Sequence, residues 1–84
     1  MTSKELMYVK TIAEEKTISK AAQKLFVAQP SLSQSLQRIE EALGARLFNR
    51  TAGGLTLTYA GERYYHMATQ ILKMYQDFET EVSD

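Results

Sequence analysis

Ile18-Ser-Lys-Ala-Ala-Gln-Lys-Leu-Phe-Val-Ala-Gln-Pro-Ser-Leu-Ser-Gln-Ser-Leu-Gln-Arg-Ile39 reads as two helices joined by a very tight turn. Ile18, Ala21, Ala22 and Leu25 recur at the three- and four-residue spacing of one helical face. Leu32, Leu36, Ile39 and Leu43 do the same in the second helix. Small Ala21 and Ala22 allow the close backbone approach that a helix-turn-helix requires. The other face of the second helix carries Gln29, Ser31, Ser33, Gln34 and Gln37, all uncharged hydrogen-bonding residues. The turn, Phe26-Val-Ala-Gln29, lacks the glycine common in such turns. Pro30 falls in the first helical turn, where its missing N–H costs nothing.

Charge sharpens this reading. No acidic residue lies between Glu15 and Glu40, whereas Lys16, Lys20, Lys24 and Arg38 all do. Amides and hydroxyls match the base edges of a DNA major groove, and the flanking cations, Lys20 and Arg38 among them, match phosphates. Polar faces are also common on solvated helices; the turn spacing, the missing acids and the flanking elements favour nucleic acid. Residues 1–50 hold eight Lys/Arg and five Asp/Glu, against two and five in residues 51–84. Net charge is zero, so a basic head is set against an acidic tail.

Outward from this stretch, Thr2-Ser-Lys-Glu5 fits a capping box opening a supporting helix that runs to about Lys16 and buries Leu6, Val9, Ile12 and Ala13. Thr17 or Ser19 caps the next helix, and a hydroxyl there could also bond a phosphate beside free backbone N–H groups. Gly44 is a plausible left-handed stop for the second helix. Two short apolar–polar segments then flank Gly53-Gly54, a pair suited to a hairpin turn. A hairpin in this place is a wing, with Arg46, Arg50 and Thr51 set to meet the DNA backbone. Thr58 can cap a last helix from about Tyr59 to Val82. In it Tyr64, Ala68, Ile71, Tyr75, Phe78 and Val82 form a heptad seam, widened by Met67 and Leu72. So long a stripe exceeds what a small three-helix core covers, which predicts self-association.

Other classes find little support. At 84 residues the chain is one domain's worth of sequence. Cysteine is absent and His66 is the single histidine, so thiolate metal sites and disulfides are excluded and no metal site or cofactor is expected. No Ser/His/Asp constellation or phosphate-cradling loop is present, and an enzyme is not expected. No apolar run reaches the roughly 18 residues of a membrane helix, and no signal pattern opens the chain. A cytoplasmic protein without membrane association is the simplest reading. A rival reading makes the acidic, apolar last helix a protein-interaction surface and the helix-turn-helix its scaffold.

Five segments together resemble the N-terminal DNA-binding domain of LysR-type transcriptional regulators. They are Ser19-Lys-Ala-Ala-Gln-Lys-Leu25, Gln29-Pro-Ser-Leu-Ser33, Ile39-Glu-Glu-Ala-Leu-Gly44, Leu47-Phe-Asn-Arg50 and Leu57-Thr-Tyr-Ala-Gly61. The resemblance spans essentially the whole chain. It implies a mainly α fold: a winged helix-turn-helix over 1–58 and a dimerising linker helix over 59–84. It implies a bacterial homodimer binding an inverted repeat in double-stranded DNA. By position, Gln29, Pro30, Ser31, Ser33 and Gln34 lie at the recognition face, and Thr17, Ser19, Arg50 and Thr51 hold phosphates or the minor groove. The family's chains continue into a larger domain that senses a small molecule; this chain is expected to be excised from such a protein. Any tetramer or effector then belongs to the missing domain.

Three features depart from the family's habit. Gln34 stands where Arg is frequent, which predicts an adenine contact in place of guanine. Ala28 replaces a capping Ser, and Ala52-Gly-Gly54 replaces an Arg-bearing wing tip.

Overall fold

The computed structural model describes residues 1–83; Asp84, the last residue assigned to the pairing helix, lies outside the described residues. Four helices and a hairpin follow in the order α1 (Ser3–Glu15), α2 (Ile18–Leu25), α3 (Gln29–Leu43), β1 (Phe48–Thr51), β2 (Gly54–Leu57) and α4 (Tyr59–Val82).

Each boundary has a local cause. Thr2 and Glu5 form the reciprocal capping box at α1, and Lys16 closes that helix in the left-handed conformation. Thr17, rather than Ser19, caps α2: its Oγ1 accepts from the Lys20 N–H at 3.1 Å. Phe26 ends α2 at φ 58°, doing without glycine what turns of this kind usually do with it. Ala28 supplies no side-chain cap to α3, Pro30 sits in its first turn, and Gly44 ends it at φ 71°. Thr58 caps α4 by accepting from the Gly61 N–H at 2.9 Å.

The core joins Leu6, Val9 and Ile12 of α1 to Ile18, Ala21 and Ala22 of α2 and to Leu32 and Ile39 of α3. Leu47, Phe48, Tyr64 and Ala68 complete it from the wing and α4. Burying a side chain such as Val9 or Leu32 contributes about 1.5–3 kcal/mol, and both are 0 % exposed. Ala13, Leu25 and Leu36 are half-buried at the margin. Leu43, expected inside, is 45 % exposed at the last residue of α3, whereas Leu32 and Ile39 earlier in the helix are buried. Thr11 is buried with the core, though its polarity hid it in the sequence pattern.

The wing differs from expectation at its tip. Thr51 pairs with Gly54, so the two-residue turn is Ala52-Gly53 and Gly54 opens β2. Gly54 has φ 120°, and a Cβ there would stand 2.6 Å from the Lys16 carbonyl oxygen. That close approach lets the Leu55 N–H donate to the Lys16 carbonyl at 2.8 Å. The wing is thereby stitched to the α1–α2 turn.

The seam of α4 divides. α1 packs along α4, and Tyr64 and Ala68 are buried within the chain. They offer no surface to a second copy, which corrects their assignment to a dimer interface. Burial pushes the Tyr64 hydroxyl above its usual range, and the charge of Glu5 adds to this. Ile71 and Leu72 are half-buried, while Tyr75, Phe78 and Val82 are exposed.

Candidate nucleic-acid interface

Helix periodicity separates α3 into two faces. Leu32 and Ile39 point into the core, and Gln29, Ser33 and Gln37, spaced by four, form one outward ridge. Pro30 and Gln34 lie beside that ridge. Ser31 falls with Ser35 and Arg38 on its far margin, where Arg38 Nη2 donates to Ser35 Oγ at 3.2 Å. Gln29, Pro30, Ser31, Ser33, Gln34, Gln37 and Arg38 are all exposed. The residues picked for base reading therefore share one continuous surface, with a cation at its edge.

The flanks supply groups suited to phosphate. Ser19 and Lys20 are exposed at the first turn of α2. Thr17 uses its oxygen as a cap acceptor, which leaves the hydroxyl proton available. Lys24 is offset by Glu15 at 3.2 Å; among the described residues Lys16, Lys20 and Arg38 form no ion pair with a carboxylate. In the wing Arg50 is exposed and unpaired among the described residues. Thr51 behaves otherwise: its hydroxyl donates to the Gly54 carbonyl at 2.7 Å across the turn. Its one proton is engaged within the wing, so Thr51 shapes the tip and has no proton left for a phosphate.

Glu40 connects helix to wing, a role the sequence pattern did not disclose. Its side chain is only 13 % exposed and lies 3.6 Å from Arg46 Nε. Its Oε2 accepts from the Leu47 N–H at 2.7 Å, and its carbonyl accepts from Gly44 and Ala45. Arg46, expected at the DNA backbone, thus shares its charge with Glu40. Between α3 and the wing runs a groove walled by Ser33, Gln37, Glu41, Arg46 and Arg50 over a floor of Leu36, Phe48 and Leu55. The signal for Glu40 was present in the sequence as an acid just beyond an acid-free stretch; its hydrogen-bond partner, seven residues on, was not.

At the far side of the molecule, Tyr65 donates to Glu14 Oε2 at 2.9 Å and Lys10 pairs with the same oxygen at 3.0 Å. Burial works to raise the Glu14 carboxyl, but the bonds from Lys10 and Tyr65 prevail and hold it below its usual range. The hydrogen bond to Glu14 in turn holds the Tyr65 hydroxyl above its own. Among the described residues no cluster of three or more His, Cys, Asp or Glu could hold a metal ion. None of the described helices is long and apolar enough to cross a membrane.

The family model for bacterial regulatory helix-turn-helix proteins of the lysR family matches residues 3–62. The chain belongs to the LysR family. Among relatives, the HTH-type regulator YkuM of Bacillus subtilis is 46 % identical over 71 residues, covering 84 % of this chain and 24 % of YkuM. BsdA of the same organism is 41 % identical over 85 residues, covering all of this chain and 29 % of BsdA. This LysR-family chain spans 24–29 % of the length of the first such relatives. Among solved structures, the BenM DNA-binding domain in complex with catB site 1 DNA superposes with a TM-score of 0.93 at 32 % identity. That match covers 99 % of this chain and 93 % of the BenM chain. Full-length OxyR from Pseudomonas aeruginosa superposes at 0.88 and 32 % identity, covering 99 % of this chain and 28 % of OxyR. The winged helix-turn-helix and the resemblance read from the sequence are both borne out.

Proposed function

We propose that this chain is the sequence-specific, double-stranded-DNA-binding part of a bacterial transcription regulator, placing α3 in the major groove. The observation that carries this is the continuous, uncharged polar ridge of Gln29, Ser33 and Gln37 on α3, exposed and turned away from the buried Leu32 and Ile39. Similarity to protein–DNA complexes of BenM and CbnR domains supports the same reading. In it Gln29, Pro30, Ser31, Ser33, Gln34 and Gln37 face bases. Thr17, Ser19, Lys20, Arg38 and Arg50 hold phosphates, which anchor without selecting sequence.

Residues 1–58 form the reading head, and 59–84 carry the pairing helix. Two copies join through Ile71, Leu72, Tyr75, Phe78 and Val82, so that an inverted repeat meets two recognition helices at a spacing the dimer dictates. The exposed aromatics support this surface: Tyr75 is 54 % and Phe78 61 % exposed. A small-molecule effector, a tetramer and a regulatory output belong to the longer protein implied by the relatives' length. A reader of bacterial DNA would act in the cytoplasm and needs no enzymatic activity of its own.

The test starts from duplexes selected out of a random pool by this chain. Gln29→Ala and Ser33→Ala should each weaken binding to the selected duplex by about 1–3 kcal/mol and leave scrambled DNA unaffected. Phe78→Asp, on an exposed position that the monomer's fold does not need, should halve the mass seen in light scattering. Selected binding that ignores both α3 substitutions would move the function to another surface.

A further inference from the structure

The outward ridge of α3 ends in an acid that the fold does not require. Gln37 Nε2 donates to Glu41 Oε1 at 3.2 Å, one helical turn further on. A carboxylate accepts hydrogen bonds and does not donate them, so this partner decides which way the amide faces. The nitrogen of Gln37 turns to Glu41 and its Oε1 is left outward. Both residues are exposed and both wall the groove between α3 and the wing, next to Ser33 and opposite Arg50.

No cation neutralises Glu41 among the described residues. Arg46 lies against Glu40, and Arg38 donates to Ser35. A bare carboxylate at a phosphate-binding surface is unfavourable by simple repulsion, and its i,i+4 bond adds little to the helix. Its chemistry suits one feature of the major groove. Exocyclic amines of cytosine and adenine are donors there, whereas guanine O6, guanine N7 and thymine O4 are acceptors.

Resting on the DNA-binding reading above, we propose that Glu41 is a positioning residue that sets the specificity of Gln37. By engaging the amide nitrogen, it presents Gln37 Oε1 as an acceptor to an exocyclic amine, so the base under the third turn of α3 is cytosine or adenine. An isolated Gln37 could flip and accept or donate equally; Gln37 held by Glu41 discriminates.

The experiment varies each base pair of the pool-selected duplex in turn and measures binding of the wild type, Glu41→Ala, Glu41→Gln and Gln37→Ala by anisotropy. The wild type should favour the amine-bearing base at one position by about fivefold or more. Glu41→Ala should cut that preference to about twofold or less while all other positions keep theirs. Glu41→Gln, whose amide oxygen can still accept from Gln37, should restore part of it without the charge. Circular dichroism should be the same for all four proteins, since both side chains are exposed. If Glu41→Ala and Glu41→Gln instead tighten binding to every duplex alike, with preferences unchanged, Glu41 is only an electrostatic brake and the proposal fails. Loss of selective binding in Gln29→Ala and Ser33→Ala reports on the DNA-binding reading separately: it can hold while the Glu41 proposal fails.

Discussion

Gly61→Ala is expected to reverse the usual sign of a glycine-to-alanine change in a helix. At an ordinary helical site alanine is favoured over glycine by about 1 kcal/mol. Gly61 lies in the first turn of α4 and is buried. A Cβ there would collide with the Leu47 carbonyl oxygen and crowd the Leu57 side chain. Backbone cannot swing aside as a flexible side chain can, so α4 must back away from the start of the wing. That retreat strains two bonds, Thr58 N–H to the Leu47 carbonyl at 3.0 Å and Thr58 Oγ1 to the Arg46 carbonyl at 2.7 Å. At about 1 kcal/mol each, with loosened packing around Leu47 added, the loss outweighs the helical gain. A net destabilisation of about 2–4 kcal/mol follows, in the range of overpacked sites. Urea unfolding followed by circular dichroism, at one fixed protein concentration, would measure it. Gln70→Ala, exposed on the same helix, is the control and should change little. Equal or greater stability in Gly61→Ala would refute the close approach of α4 to the wing.

Three further outcomes follow from single contacts. Phe26 is 95 % exposed at φ 58°, so Phe26→Gly should raise stability by up to about 1 kcal/mol, readable as a higher urea midpoint; a lower midpoint would mean the side chain packs. Glu40→Ala removes the acceptor of the Leu47 N–H and should cost about 1–3 kcal/mol, with hydrogen exchange accelerating in the wing before α1. The lowered Glu14 carboxyl contributes stability that is present above its unfolded value of 4.5 and lost as pH falls through the lower folded value. Tyr65→Phe removes one of the bonds that hold it down, so the Glu14 titration followed by NMR should move up; an unchanged titration would show that the lysines, Lys10 and Lys24, are responsible without Tyr65.

Much of this fold was legible because its elements announce themselves locally. The capping box at Thr2 and Glu5, Pro30 in a first turn and Gly44 at a helix end each depend on neighbours within a few residues. The ridge Gln29–Ser33–Gln37 was legible for the same reason, since helical periodicity alone lines these side chains up one turn apart on a face that leaves out Leu32 and Ile39. What escaped depends on pairs far apart in the chain or on competition between partners. Tyr64 and Ala68 continue the heptad of Ile71 and Phe78 without a break, and only the position of α1 shows that the first half of the seam is already covered. Gly54 looks like half of a flexible turn until the Lys16 carbonyl is seen beside it. The Glu40 carboxylate would suit solvent and the Thr51 hydroxyl a phosphate, yet their hydrogen bonds are taken up within the chain by Leu47 and Gly54.

In the function proposed, phosphates anchor the protein while the α3 ridge selects the sequence. Fluorescence anisotropy of a labelled, pool-selected inverted-repeat duplex across a salt series, with a scrambled duplex as competitor, tests both halves at once. Log affinity should fall linearly with log salt, as counterion release requires, while the selected duplex stays preferred at every salt concentration. Weak binding with no preference over the scrambled duplex, at any salt concentration, would contradict it.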